Sequence, residues 1–183
     1  MEIRIVEEAG HTAAVTGMKF SHQTECDLME IEEAKYADTK TTRALAKQDS
    51  GHNKFLESII VWVDIRAKLK FWKQFDTYRI GVTKQSKSTM HSIMKRPLTR
   101  DDFGYDIADR RVAHYNTLIA EGKFEEISDD LSEGYLQTRR VCLSYKVIRH
   151  IIMQRRNHKL PEWQEFCEFM KDMLKYPRLL GGV

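Results

Sequence analysis

The stretch FDTYRIGVTKQSKSTMH, residues 75 to 91, concentrates hydrogen-bonding side chains: Asp76, Thr77, Tyr78 and Arg79, then Thr83, Lys84, Ser86, Ser88 and Thr89. Two further polar clusters accompany it. GHNKFLE brings Gly51, His52, Lys54 and Glu57, and SYKVIRHIIMQRRNH brings Ser144, Lys146, Arg149, His150, Arg155, Arg156 and His158. Cations at helical spacing, as at Lys146, Arg149 and Arg156, can hold a phosphate through charge-assisted hydrogen bonds. The same pattern describes a solvated helix face, which composition alone favours. Single histidines such as His52 and His150 are more often structural than ligating. Trp62, Trp72 and Trp163 fit a core better than a stacking platform.

Other chemistries lack their patterns. The sequence has no G-x-G-x-x-G, Walker loop, C-x-x-C or H-E-x-x-H, and no Ser-His-Asp set that spacing could certify. Cys26, Cys142 and Cys167 are odd in number and widely spaced, which gives neither a disulfide framework nor a zinc site and points to a reducing cytoplasm. The opening MEIRIVEEAG is acidic and lacks an apolar run, so no signal peptide is expected. No apolar run approaches the roughly 20 residues of a membrane helix. With 183 residues, 42% hydrophobic and 31% charged, the chain reads as one globular domain over residues 1–183. A net charge of +3 permits an anionic ligand but is too small to indicate wrapping of nucleic acid.

Elements that would position these residues follow from periodicity. MEIRIVEE alternates and predicts a strand carrying Ile3 and Ile5; the small, polar residues that follow predict a loop or short elements. DTKTTRALAKQDSGHNKFLES, residues 38 to 58, is expected to be helical, capped by Asp38 or Thr39, with Gly51 ending a first helix or in a tight turn. SIIVWVDI is β-branched and reads as a buried strand. Leu69, Trp72, Phe75 and Arg79 recur at helical spacing. Residues 95 to 106 read as a loop around Pro97 and Gly104. IADRRVAHYNTLIAEG predicts a helix with Ile107, Val112, Tyr115 and Ile119 inward and Gly122 as its stop. Leu136, Val141, Tyr145, Ile148 and Ile152 predict one long helix over LQTRRVCLSYKVIRHIIMQRR. LPEWQEFCEFMKDMLKY predicts a last helix, with Pro161 in its first turn.

In this order and spacing, the three clusters resemble the flavin-dependent thymidylate synthases, the thymidylate synthase X family, over residues 45 to 170. Gly51-His52 and Leu56-Glu57-Ser58 stand where the family has Gly-His and then Phe-Glu-His before a strand. The signature R-H-R, seven residues, S-x-R is matched in frame by Asp76-Thr77-Tyr78, seven residues, Ser86-Lys87-Ser88. The family helix N-A-R-S-L-x-H-F-L-x-L-R is matched by SYKVIRHIIMQR, with Lys146 on its first arginine, His150 on its histidine and Arg155 on its last arginine. The following A-Q-x-E-I-R is poorly kept in LPEWQEF. The wording D-T-Y-R-x-G and S-T-M-H is similar to that of synthase-like proteins of bacteriophages and their hosts, which implies a divergent, phage-type member.

The resemblance implies an α+β fold, a central antiparallel sheet with flanking helices, and a homotetramer with shared sites. It implies transfer of one carbon from methylenetetrahydrofolate to dUMP, with FAD reduced by NADPH. It makes Ser86 the candidate catalytic group. His52, Glu57, Asp76, Thr77, Tyr78 and His150 become candidates for the flavin. Arg79, Ser86, Ser88, Lys146 and Arg155 become candidates for the nucleotide. The departures alter that chemistry. Asp76 and Ser88 stand where arginines would grip phosphate through a rigid fork, and a carboxylate at 76 would repel a phosphate placed against it. A carboxylate beside Tyr78 would instead accept hydrogen bonds from a ring or sugar hydroxyl. Arg79 could compensate in part, and Lys146 could meet a phosphate as a point charge. Three readings stay open: a divergent flavin- and folate-dependent enzyme, a non-catalytic protein that sequesters a nucleotide, and a structural relic of the scaffold.

Overall fold

The structure, a computed structural model, describes residues 1–20, 38–48 and 51–182, so Cys26 lies outside the described residues. Strand β1 (Glu2–Ala9) half-buries Ile3 and Ile5 and exposes Glu2 and Arg4, as its alternation predicts. Gly10 then turns the chain directly into helix α1 (His11–Lys19), where sequence gave only a loop or short elements. Its φ is 90°, and a Cβ there would lie 2.2 Å from the Ser58 carbonyl oxygen, so glycine is needed for both conformation and space.

Helix α2 (Lys40–Lys47) is capped by Thr39, whose Oγ1 accepts the Thr42 N–H at 3.1 Å while Thr42 Oγ1 accepts the Thr39 N–H at 2.8 Å. This reciprocal box satisfies two otherwise orphaned donors of a short helix. Thr39→Ala is expected to cost about 1 kcal/mol in urea unfolding. An unchanged midpoint would mean that tertiary contacts alone hold α2. Gly51 sits in a turn at φ 95°, ahead of the 3-10 turn Lys54–Glu57.

Strand β2 (Ile60–Lys68) buries Val61, Val63, Ile65 and Ala67 on one face. Helix α3 (Leu69–Phe75) buries Phe71, Trp72 and Phe75 and stops at Asp76. Thr77 and Tyr78 bond back to the Gln74 and Phe75 carbonyls, tightening the last turn, so Arg79 leaves the helical face on which its spacing placed it. Strand β3 (Val82–Ser86) and the single turn α4 (Thr89–Ser92) follow. In α5 (Asp109–Ala120), Val112, Tyr115 and Leu118 are the buried residues, and α6 (Phe124–Asp130) packs beside it.

The long helix expected over residues 136 to 156 is two elements. Strand β4 (Leu136–Ser144) pairs antiparallel with β2 from Ile60↔Ser144 to Lys68↔Leu136, and helix α7 (Tyr145–Arg155) begins only after it. Val141 and Leu143 alternate inward, while the spacing of Val141 to Tyr145, Ile148 and Ile152 also fits a helical stripe. Pairing with β2 decides between them. Ser144 marks the switch, its Oγ accepting the Val147 N–H at 3.3 Å. Helix α8 (Pro161–Met173) starts on Pro161 as expected.

The sheet has the order β1-β2-β4-β3, every pair antiparallel, with helices flanking it, which is the expected α+β architecture. Its apolar face meets α3, α7 and α8 in the main core, and a second core gathers around Phe103, Tyr115 and Tyr135. A buried polar knot ties β1 to the C-terminal segment. Glu8 accepts from Tyr145 Oη at 2.6 Å and from the Lys175 N–H at 2.9 Å, with His11 Nε2 at 3.4 Å. No helix among the described residues is long and apolar enough to cross a membrane.

Candidate functional site

The turn after α3 is where the sequence concentrated its polar groups, and the fold seats it against α7. A Cβ on Gly81 would lie 3.1 Å from the Val147 side chain. Tyr78 leans into the aromatic cluster of Phe75 and Trp163, with ring centroids at 6.0 and 5.8 Å. Its hydroxyl donates to Gln154 Oε1 at 2.8 Å and accepts from Arg155 Nε at 3.0 Å. The Arg155 guanidinium stacks over Trp163 at 5.0 Å, and Gln154 Nε2 lies 2.9 Å from His150 Nε2. The structure therefore brings Tyr78 to Arg155 directly and to His150 through Gln154, which the sequence reading did not single out.

Asp76 occupies a different electrostatic setting from the one its sequence neighbours suggest. Arg139 Nη1 donates to both of its oxygens, at 2.9 and 3.1 Å, and Lys84 Nζ lies 2.9 Å from Oδ1. Burial pushes this carboxyl up, but the bonds from Lys84 and Arg139 outweigh it and hold the group below the ordinary aspartate value. A carboxylate that would repel a phosphate is thus neutralised by two cations. Arg139 is itself fixed: its guanidinium lies 4.5 Å from the Trp72 ring centroid, and its Nε donates to Gln137 Oε1 at 2.9 Å.

The sequence reading did not single out Arg139, because a helix over residues 136 to 156 sets it away from the stripe of Val141, Tyr145, Ile148 and Ile152. In a strand, consecutive residues face opposite sides. Arg139 therefore meets Asp76 on the helix-covered side, while Arg140 meets Asp64 on the other, at 2.7 and 2.8 Å. The signal was present in the inward alternation of Val141 and Leu143, two and four residues beyond Arg139.

The remaining candidates distribute around this centre. Ser86 is exposed at the end of β3 and is the register partner of Arg139, so the two side chains share a face. Ser88 caps α4, its Oγ accepting the His91 N–H at 3.2 Å. Thr77 Oγ1 donates to the Gln74 carbonyl at 2.7 Å. Arg79 is exposed beside Ile80, which is 93% exposed at the tip of the turn. Lys146, at the start of α7, pairs with Glu57 at 2.5 Å, and His52 is exposed in the turn that precedes Glu57. The described site is thus a cluster of cations, Lys84, Arg139 and Arg155, with hydroxyls at Ser86 and Tyr78, in which the Arg139 and Arg155 guanidiniums lie over the fully buried Trp72 and Trp163 rings.

No family model matches the sequence, and no curated protein matches it. Solved structures do. Thymidylate Synthase X from Helicobacter pylori with FAD and dUMP has a TM-score of 0.75 at 14% identity, over 100% of this chain and 98% of that one. A second structure of that H. pylori enzyme, flavin-dependent thymidylate synthase complexed with FAD and dUMP, gives 0.68 at 15% identity, over 95% and 94%. A UMP/dUMP methylase, PolB from Streptomyces cacaoi bound with 5-Br dUMP, gives 0.63 at 15%, over 93% and 88%. At such identities the likeness establishes the fold, which is thymidylate-synthase-X-like along the whole chain.

Proposed function

We propose that this chain binds a pyrimidine nucleotide such as dUMP on the surface described above. One observation carries the reading. The three similar structures match nearly the whole chain, and dUMP or its 5-bromo derivative is common to all of them. The cluster of Lys84, Arg139 and Arg155 around Tyr78 supports it, since arginine and lysine suit a phosphate.

FAD is the cofactor that the resemblance implies, with NADPH and methylenetetrahydrofolate as cosubstrates. The residues in frame with the family's flavin grip do not fit that task within one chain. Both Asp76 oxygens are engaged by Arg139 and Lys84, and a carboxylate is no partner for a diphosphate. The Thr77 hydroxyl is committed to Gln74, and Tyr78 has used both its donor and an acceptor position. The leading reading is therefore nucleotide binding without a retained flavin, as in a protein, of phage type or otherwise, that sequesters a nucleotide. One-carbon transfer to the bound nucleotide is the second reading, favoured by the likeness to a UMP/dUMP methylase.

The purified protein is expected to bind dUMP by calorimetry and to emerge colourless from gel filtration after incubation with excess FAD. A retained flavin spectrum would overturn the fit argument and make one-carbon transfer the leading reading. Failure to bind dUMP or any other pyrimidine nucleotide would remove the proposal. The same column reports the assembly, for which the resemblance implies a homotetramer.

A further inference from the structure

We infer that Lys84 and Arg139 form a phosphate subsite on this surface, and that Asp76 is an internal counter-ion competing with the ligand for it. The inference rests on the nucleotide-binding reading and adds to it the location of the anion and the residue that limits its affinity.

Charge is the first argument. Two cations converge on one carboxylate, so the triad keeps a net charge of +1. Donors are the second. Arg139 uses Nε on Gln137 and Nη1 on Asp76, and among the described residues Nη2 has no hydrogen-bond partner. Lys84 Nζ reaches Asp76 and, at 3.3 Å, the Tyr78 carbonyl, which leaves one of its three N–H groups for another acceptor.

Access is the third argument. The Asp76 side chain is 45% exposed against 15% for Arg139, so the counter-ion lies on the outer side of a cation held from beneath. That support is Trp72, which is fully buried and donates its own Nε1–H to the Gln137 carbonyl at 2.9 Å. A guanidinium clamped on a fixed ring and oriented by a neighbouring amide is preorganised for a forked anion. Ser86, the register partner of Arg139 on the same face, adds a hydroxyl at the rim. Gln137 Nε2 holds the chain beyond Ser86 in place through the Lys87 carbonyl at 3.0 Å and Thr89 Oγ1 at 3.1 Å.

A carboxylate in this position occupies the donors that a phosphate would use. Removing its charge frees them, whereas removing Arg139 destroys the subsite. The two changes therefore have opposite signs, which a merely structural ion network would not produce.

The test measures binding of dUMP, 2′-deoxyuridine and inorganic phosphate to the wild type, Asp76→Asn, Arg139→Gln and Lys84→Met by calorimetry, with thermal melting to confirm that each variant is folded. Asp76→Asn is expected to tighten dUMP and phosphate about tenfold or more without changing deoxyuridine. Arg139→Gln and Lys84→Met are expected to bring dUMP down to the affinity of deoxyuridine. Loss of binding in all three variants, or no change in any, would overturn the subsite. If dUMP binds the wild type and the variants alike, the nucleotide reading stands and this inference falls. If only inorganic phosphate binds, with the expected opposite signs, the subsite stands and the pyrimidine reading falls. If no anion binds even to Asp76→Asn, both fall. Should Arg139→Gln fail to fold, the opposite shifts of Asp76→Asn and Lys84→Met decide the question.

Discussion

Replacing Trp163 by alanine is expected to destabilise the protein by about 3–5 kcal/mol, the range for deleting a large buried ring. Trp163 is fully buried on α8 and touches α3, α7 and the turn at Tyr78. Its ring stacks parallel to Phe75 at 5.7 Å and meets Phe71 at 4.6 Å, and its Nε1 donates to Gln74 Oε1 at 2.8 Å. It also carries Tyr78 on one edge and the Arg155 guanidinium at 5.0 Å. The alanine variant therefore loses apolar burial, leaves a cavity and strands the Gln74 amide oxygen. Urea unfolding measures the loss, and a change under about 1 kcal/mol would show that the cluster collapses onto the gap. Trp163→Phe should recover most of the packing but not the Gln74 bond. Because Tyr78 and Arg155 rest on this ring, weaker dUMP binding is expected from Trp163→Ala at temperatures where it remains folded.

Glu8→Gln is expected to cost about 1–3 kcal/mol at neutral pH, the scale for disturbing a buried hydrogen-bonded charge, and close to nothing in acid. Burial alone would raise the Glu8 carboxyl, but bonds from His11, Tyr145 and the Lys175 N–H outweigh it and hold the group below the ordinary glutamate value. Burial and the Glu8 charge push the Tyr145 phenol far up, so it stays protonated and remains a donor to Glu8. The sign follows from linkage. A carboxyl depressed on folding contributes stability that is fully present above its unfolded value and is lost as pH falls through the folded one. Wild type and Glu8→Gln should thus differ near pH 7 and converge below the ordinary glutamate range. Parallel stability curves across that range would assign the acid sensitivity to other carboxylates, Asp76 and Asp64 among them. The structural readout is the C-terminal segment: Tyr176 N–H donates to Tyr145 Oη at 3.2 Å, and its ring meets His11 at 4.6 Å, so loosening the knot should raise amide exchange there first.

Local patterns carried several elements directly. Alternation in β1, the β-branched run of β2, a cap at Asp38 or Thr39, the start of α8 at Pro161 and the concentration of polar groups at residues 76 to 89 need only neighbours in the chain, and all were legible. The architecture, an antiparallel sheet with flanking helices, was legible through the resemblance of three ordered motifs rather than through any one element. Helix α5 was legible within two residues of its bounds but not fully in its face, since Leu118 is also buried and Ile119 is only half-buried against the second core.

What the tertiary structure decided is the electrostatic character of the site. By itself the sequence determined that a carboxylate stands at position 76 among hydroxyls, and from that it expected repulsion of a phosphate and hydrogen bonds from a ring or sugar hydroxyl instead. Of the two neutralising cations Lys84 is near in the chain, but Arg139 is 63 residues away, on a strand whose apolar spacing also fits a helix. Intrinsic preference does not separate those two conformations over so short a segment. Nine residues of pairing with β2 do, and they fix which of two adjacent arginines faces Asp76 and which faces Asp64. A one-residue change in that register would exchange the two faces, because side chains alternate along a strand. The sign and balance of charge at the site are therefore set by strand register, a long-range property that no local window of the sequence contains.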